Sequence, residues 1–160
     1  MIFAVTGIAV FAAMPVLTEK RFLATVKGER IMKKFDHNPY KAETLEKWGK
    51  TDAYREYDEK TKEYSRDKWQ NVNNGLNTIF MDFALCMKNG FSPNDAEAQH
   101  LVKKLQEYIT ANFYACTKQI LAGLGQMYVA DDRFRSNIDQ NGEETAAFAG
   151  AAIHAYCTNE

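Results

Sequence analysis

The side chains best suited to chemistry are three cysteines, Cys86, Cys116 and Cys157, which lie 30 and 41 residues apart. A structural zinc site normally uses cysteine or histidine pairs spaced by about two to four residues, and the sequence contains no such pair. An odd, widely spaced set is typical of free thiols in a reducing compartment. We therefore predict no metal site, thiols that behave as small apolar side chains, and a cytoplasmic location.

The three histidines are also far apart in the sequence. His37 lies in a predicted loop, His100 near the start of a predicted helix, and His154 near the C-terminus. A single helical histidine can ligate haem, but a haem pocket requires more than one residue. We interpret His100 as an ordinary residue of a helix N-terminus and predict no cofactor.

Two carboxylate pairs, Asp131–Asp132 and Glu143–Glu144, could serve general acid–base catalysis. Both lie at predicted helix ends, where acidic side chains complement the helix dipole. The sequence also lacks the nucleophile elbow, the zinc-protease motif, the phosphate-binding loop and the dinucleotide glycine fingerprint. We therefore predict that the protein is not an enzyme.

Length, composition and charge restrict the function further. The chain has 160 residues, of which 46% are hydrophobic and 26% charged, as expected for one globular domain. Its formal net charge is −1, whereas a free-standing nucleic-acid-binding domain is normally basic. We expect no direct contact with nucleic acid.

Residues 1–17 form an uncharged segment in which 14 of the 17 residues are apolar. Three interpretations remain open: a signal or membrane anchor, an extension that packs on the domain, or an over-extended gene start with Met14 as the true start. No basic residue precedes Lys20, as a signal would require, and Pro15 and Glu19 make the run shorter than a membrane span of about 20 residues. We expect no membrane association unless this segment acts as an anchor.

Helical periodicity dominates the remainder, residues 18–160, which we predict to be a single all-α domain of six or seven helices without strands. The clearest helix starts after the N-cap Ser65, runs for about six turns and ends at Asn89–Gly90. Its apolar face consists of Trp69, Val72, Leu76, Ile79, Phe80, Phe83 and Met87.

Shorter helices are predicted before it. One begins after Thr18 and is interrupted at Pro39, a second covers 41–48, and a third is capped by Thr51 and runs to about Tyr64.

Further helices are predicted after it. A capping box at Ser92–Asp95 starts a helix that bends or restarts near 113–116 and continues to about Tyr128. Residues 131–142 are predicted to be mostly loop with Phe134 and Ile138 buried, and a last helix spans about 143–156. Its inward residues are Phe148, Ala151, Ala152, Ala155 and Tyr156.

Residues 18–68 differ from the rest in composition. Of these 51 residues 25 are charged, with a net charge of +3, and the apolar stripes are thin and aromatic. Two interpretations remain open: solvated surface helices laid on a core formed by 69–160, or a lid that is mobile alone and becomes ordered around a ligand.

Three residue strings are more specific. KWGKTDAYRE (47–56), KTKEYSRDKWQNV (60–72) and GLGQMYVADDRFRSNID (123–139) closely resemble the TipA-type antibiotic-recognition domain, TipAS. That domain is the C-terminal effector module of a group of MerR-family transcription activators and also occurs alone as a drug-binding protein. The similarity runs from about Glu19 to Tyr156. It implies a globin-like helical fold without haem, and a cleft for bulky, often thiopeptide antibiotics, with the N-terminal part ordering around the ligand.

The chain departs from this family in two respects. The MerR winged helix and coiled coil are absent, so we expect no operator binding by the chain itself. The founding member captures thiopeptides through a cysteine just before the LG-x-MYV string, a position that Gly123 occupies here. Cys116, seven residues earlier, lies on about the same helix face but has only Lys118 near it to lower its pKa. We therefore expect binding without a covalent bond.

The candidate ligand-binding residues follow from the resemblance and from helical spacing around Gly123. Flat aromatic rings offer a large contact area, and side-chain amides can orient a peptide-like ligand, although core packing is the alternative role for each residue. On the body side they are Asn112, Phe113, Cys116, Gln119, Ile120, Gly123, Gln126 and Met127. On the lid side they are Trp48, Tyr54, Tyr57 and Trp69.

We predict a stand-alone, non-enzymatic domain that senses or sequesters a bulky amphipathic compound. The alternative is an effector module of a MerR-type regulator that acts through a protein partner or as a homodimer.

Overall fold

The computed structural model describes residues 41–159, and every regular element in that range is helical. The all-α prediction is therefore confirmed. The predictions for the apolar segment 1–17, for the helix after Thr18 and for His37 lie outside the described residues. The elements are α1 (Lys41–Trp48), α2 (Asp52–Thr61), α3 (Arg66–Lys88), α4 (Ala96–Asn112), α5 (Lys118–Ala130), α6 (Asp132–Ile138), a 3₁₀ turn (Asp139–Asn141) and α7 (Thr145–Thr158).

Hydroxyl side chains start three of these helices. The side chain of Thr51 accepts a hydrogen bond from Tyr54 N at 3.2 Å, and that of Ser65 accepts one from Lys68 N at 3.1 Å, as predicted. Thr117 caps α5 in the same way and separates it from α4, so the chain restarts at this junction. Each cap satisfies a backbone donor that has no partner within the helix.

The predicted start of α4 at Ser92 was wrong. The helix begins at Ala96 with Asp95 as N-cap. The Asp95 N–H donates to the Ser92 carbonyl at 3.1 Å, and the Asp95 carboxylate accepts from Ser92 N at 2.7 Å. These two bonds close a separate turn over residues 93–95, so the capping-box sequence makes a turn before the helix instead of its first turn.

The prediction of a loop over residues 131–142 was also wrong. Residues 132–138 form α6 because the Asp131 carboxylate caps its N-terminus, accepting from Arg133 N at 2.9 Å. Phe134 and Ile138 are buried as predicted, and their spacing of four residues places them on one face of this short helix.

Helix α7 has one corrected position. Ala151 was predicted to face inward, but it is exposed, and Ile153 is buried instead. The buried arc of this helix is centred near Ala149 and Ile153, and at 100° per residue Ala151 falls on the opposite side.

Helices α5 and α7 approach each other closely because glycine lies at the contact on both. A methyl group at Gly150 would lie 2.8 Å from Val129 Cγ2 and 3.0 Å from the Gly125 carbonyl oxygen. A methyl group at Gly125 would lie 2.8 Å from Ile153 Cγ2. This contact fixes the position of α5, which carries five of the twelve predicted ligand-binding residues.

We expect Gly150→Ala to lower the free energy of unfolding by about 1–2 kcal/mol, measured by urea denaturation. Overpacking typically costs about 1–3 kcal/mol. Because the added methyl group would lie 3.0 Å or less from a backbone oxygen and a β-branched side chain, we expect a cost in the upper part of that range, which outweighs the gain of about 1 kcal/mol in helix propensity. The sign is diagnostic, because propensity alone would stabilise the variant. A stabilised variant would mean that α5 and α7 lie farther apart than described.

Candidate ligand-binding site

Four of the predicted ligand-binding residues meet in one group of rings between α2, α3 and the end of α4. The Tyr57 ring centroid lies 6.4 Å from that of Trp69, 6.4 Å from that of Phe113 and 5.9 Å from that of Tyr54. Tyr64, which was not predicted as a site residue, adds an edge contact with Trp69 at 5.3 Å. We call these five residues the aromatic cluster.

The aromatic cluster is part of the core in this conformation. Trp69 is 1% exposed and Phe113 is fully buried. The rings therefore dock α2 onto α3 and α4. A ligand that contacts these rings has to lie between α2 and the body, which we define as helices α3 to α7. Trp48 is also buried, at the end of α1, where its carbonyl accepts from Thr51 Oγ1 at 2.7 Å.

Polar contacts hold α2 and the following turn along the end of α4. Lys60 Nζ donates to the Thr110 carbonyl at 2.9 Å, and the Tyr64 hydroxyl donates to the Asn112 carbonyl at 2.8 Å. The Glu56 carboxylate accepts from Ala115 N at 3.0 Å. Asn112 thus lies at the edge of the aromatic cluster, but its side-chain amide donates locally, to the Tyr108 carbonyl at 3.0 Å.

The predicted ligand-binding residues on α5 differ in their exposure to solvent. Gln119 and Gln126 are exposed, so their amides are accessible. Gly123 and Met127 are half-buried, whereas Ile120 is buried. The accessible edge of α5 is therefore the amide-bearing edge, with one flexible apolar side chain beside it.

The Cys116 thiol is poorly suited to covalent chemistry. It is 5% exposed, and burial, with a smaller effect of nearby Cys157, raises its pKa to about 12. The backbone around it is also held, because Gln106 Nε2 donates to its carbonyl at 2.7 Å and its N–H donates to Thr110 Oγ1 at 3.1 Å. Lys118 points elsewhere, with its Nζ 5.6 Å from the Tyr156 ring centroid. This geometry supports binding without a covalent bond.

An ion-pair group that the sequence did not predict joins α1 to the body. Arg133 donates to Glu43 Oε2 at 3.0 Å and Oε1 at 3.2 Å, and to Asp131 Oδ1 at 3.0 Å and Oδ2 at 2.7 Å. The hydrogen bond from Arg133, with a smaller contribution from that of Lys47, lowers the pKa of Glu43 to about 2. A hydrogen bond from Arg133 also lowers the pKa of Asp131. Asp131 and Arg133 belong to the string 123–139 that resembles TipAS. No local feature of that string indicates that Arg133 pairs with Glu43, which lies 90 residues away.

Within residues 41–159 no three His, Cys, Asp or Glu side chains converge as a metal site would require. Both histidines of that range, His100 and His154, are exposed.

None of the described helices combines the length and the apolar character that crossing a bilayer requires.

Comparison with known proteins agrees with the resemblance. Residues 40–156 match the TipAS antibiotic-recognition domain. The HTH-type transcriptional activator Mta of Bacillus subtilis is 34% identical over 156 residues, which is 89% of this chain and 60% of that protein. The HTH-type transcriptional activator TipA of Streptomyces coelicolor is 37% identical over 120 residues, which is 74% of this chain and 47% of that protein. The chain thus spans about half the length of the curated relatives it matches.

A solved structure is similar over most of its length. It is Streptomyces lividans TipAS in complex with nosiheptide, described as part of a thiopeptide antibiotic multidrug resistance system. The TM-score is 0.70 at 34% sequence identity, over 78% of this chain and 87% of that one. The globin-like helical fold is therefore confirmed.

We expect Cys116 to resist alkylation in the folded protein. With a pKa of about 12 against an ordinary 9, it holds roughly a thousandfold less thiolate at pH 8. Iodoacetamide should therefore label the half-buried Cys157 first, as read by peptide mass spectrometry, and label all three cysteines in denaturant. Preferential labelling of Cys116 would show that its thiol is accessible and would reopen covalent capture.

We expect acid to weaken the attachment of α1. The folded-state pKa of Glu43 is depressed, so its ion pairs stabilise the fold fully above about pH 4.5, and this stabilisation is lost as the pH falls through about 2. Amide resonances of residues 42–48 should shift over this range, before those of α3. A Glu43 carboxylate that titrates near its ordinary pKa of 4.5 would contradict the ion-pair geometry.

Proposed function

The chain belongs to the TipAS antibiotic-recognition domain family, and from this premise we propose that it binds bulky, peptide-like antibiotics of the thiopeptide class. Binding is non-covalent, and the domain acts as a sensor or as a sequestering protein. The observation that carries the proposal is the likeness to TipAS with nosiheptide at 34% identity and a TM-score of 0.70.

The binding place we propose lies between the lid and the body. In the described structure the lid is residues 41–64, comprising α1 and α2. The aromatic cluster supports this place, because its rings offer flat apolar area on both sides, Tyr54 and Tyr57 on the lid and Trp69 and Phe113 on the body. Trp69 was predicted on the lid side, but it lies on α3 and so belongs to the body. A bulky ligand would exchange ring-to-ring contacts for ring-to-ligand contacts, so the apolar surface stays out of water.

The accessible edge of α5 would supply the polar part of recognition. Gln119 and Gln126 are exposed amides, and amides match the backbone of a peptide-like ligand in both donors and acceptors. Met127 is half-buried and flexible, so it can adapt to an irregular apolar surface. Gly123 has no side chain, so it adds no steric barrier between these residues.

We also propose that binding occurs without turnover. The low reactivity expected of Cys116 and the scattered histidines support this. A nosiheptide sample recovered unchanged in mass after incubation with the protein is the expected result, and a modified product would indicate an enzyme.

A second candidate is an effector module that works together with a DNA-binding part or a protein partner. The similarity to two HTH-type transcriptional activators, of which the chain spans only part, favours it. A module that relays a ligand signal to a DNA-binding part would also bind nosiheptide, whereas a module that acts only through a protein partner would not.

We expect isothermal titration calorimetry of nosiheptide to show saturable binding to the full chain. Met127→Ala should weaken the affinity about tenfold, because losing roughly 1.4 kcal/mol of apolar contact changes the dissociation constant by that factor. His100→Ala, an exposed substitution on α4, is the control and should leave the affinity unchanged. Trp69→Ala is a poor test, because truncating so buried a ring typically costs about 3–5 kcal/mol of stability. Equal losses for Met127→Ala and His100→Ala would show an effect on folding only.

A further inference from the structure

One arginine side chain binds a carboxylate of α1 and a carboxylate of the body at the same time. Two Arg133 nitrogens reach both oxygens of Glu43 at 3.0 and 3.2 Å. Two Arg133 nitrogens also reach both oxygens of Asp131, at 3.0 and 2.7 Å. A planar guanidinium that holds two carboxylates in this way fixes direction as well as distance.

The body side of this arrangement is preset. The Asp131 carboxylate also caps α6 by accepting from Arg133 N at 2.9 Å, and the next residue, Phe134, is anchored in the core. Asp131 therefore holds the guanidinium from the body side, independently of Glu43. An isolated surface ion pair contributes about 0–1 kcal/mol because two long side chains must be ordered at once. Here one partner is already ordered, which lowers that entropic cost.

On the lid side, helix α1 itself orients the Glu43 carboxylate. Lys47 Nζ, one turn after Glu43, donates to Glu43 Oε1 at 2.6 Å and so holds the carboxylate against its own helix. The nearby Arg135 shows the contrast, since its ion pair is with Asp132 of the same short helix and cannot attach α1.

We propose that Arg133 is a positioning residue whose ion pair with Glu43, which we call the latch, holds α1 against the body. The latch thereby sets the fraction of ligand-free protein in the closed form, in which α1 lies against the body as described here. This inference rests on the proposed function for its consequence, because the closed form is taken as the one that completes the ligand site. The apparent dissociation constant of a ligand rises as the binding-competent fraction falls. The latch thus tunes affinity from outside the ligand contacts.

The test measures backbone hydrogen exchange of residues 42–48 by mass spectrometry, in the full chain without ligand. Arg133→Gln and Glu43→Gln should each speed exchange of α1 about tenfold and leave α3 to α5 unchanged. The double variant should be no faster than either single variant, because both remove the same contact. Exchange of α1 should rise with added salt in the wild type and lose that dependence in Glu43→Gln.

Two control variants separate the latch from general effects of charge. Arg135→Gln makes the same substitution two residues away and should leave α1 unchanged. Lys47→Gln removes the intrahelical pair, together with the contact of Lys47 Nζ with the Trp48 ring at 5.7 Å, and should have a smaller effect than Glu43→Gln. Because Arg133→Gln touches the start of α6, Glu43→Gln is the decisive variant if the former fails to fold.

Unchanged exchange of α1 in Glu43→Gln would overturn the latch, as would an equal increase in Arg135→Gln. The same proteins are then titrated with nosiheptide, and the dissociation constant of Glu43→Gln should rise by the factor by which its closed fraction falls. If the wild type does not bind nosiheptide, the proposed function is wrong, whereas faster α1 exchange still supports the latch. If nosiheptide binds and α1 exchange does not change, the latch is wrong and the proposed function stands.

Discussion

The contact on which the rest of the candidate site depends is the packing of Tyr57 against Trp69 and Phe113. It joins a highly charged, short helix to two long amphipathic ones, and α2 has little else that is apolar to bury. Isolated helices of about ten residues are marginal in water, so α2 owes its stability to these rings and to the hydrogen bonds from Lys60 and Tyr64. The same rings that hold α2 would have to admit the ligand. Lid stability and ligand contact are thus properties of one surface.

This arrangement explains why the proposed site has the burial of a core. Residues that bind a large apolar ligand must be apolar themselves, and without ligand they reduce their exposure by packing on each other. The burial of Trp69 and Phe113 therefore follows both from core packing and from the proposed ligand contact. Gln119 and Gln126 are exposed, so core packing is not the role of these two amides.

The elements that the sequence predicted best are those with strong local signals. Seven apolar residues at helical spacing predicted α3 within a residue or two, and the hydroxyl caps Thr51 and Ser65 were found from residue type alone. Helix α6 was missed because seven residues carry only two apolar positions, too few to show a period. At Ser92 the capping-box pattern was present, but a turn and a helix start use the same side-chain hydrogen bond, so the pattern did not distinguish them.

Contacts between distant segments could not be predicted in the same way. The pairing of Glu43 with Arg133 depends on the packing of α1 near α6, and no local pattern encodes it. The body half of that contact, Asp131 and Arg133, lies in the string 123–139, which the sequence analysis used only for its resemblance. Asp131 serves two purposes there, because one carboxylate caps α6 and also orients the guanidinium that receives α1. An alanine at 131 would leave α6 without its cap and Arg133 without its orienting partner. The distinctiveness of this string is thus consistent with a structural constraint that couples a helix start on the body to the position of the lid.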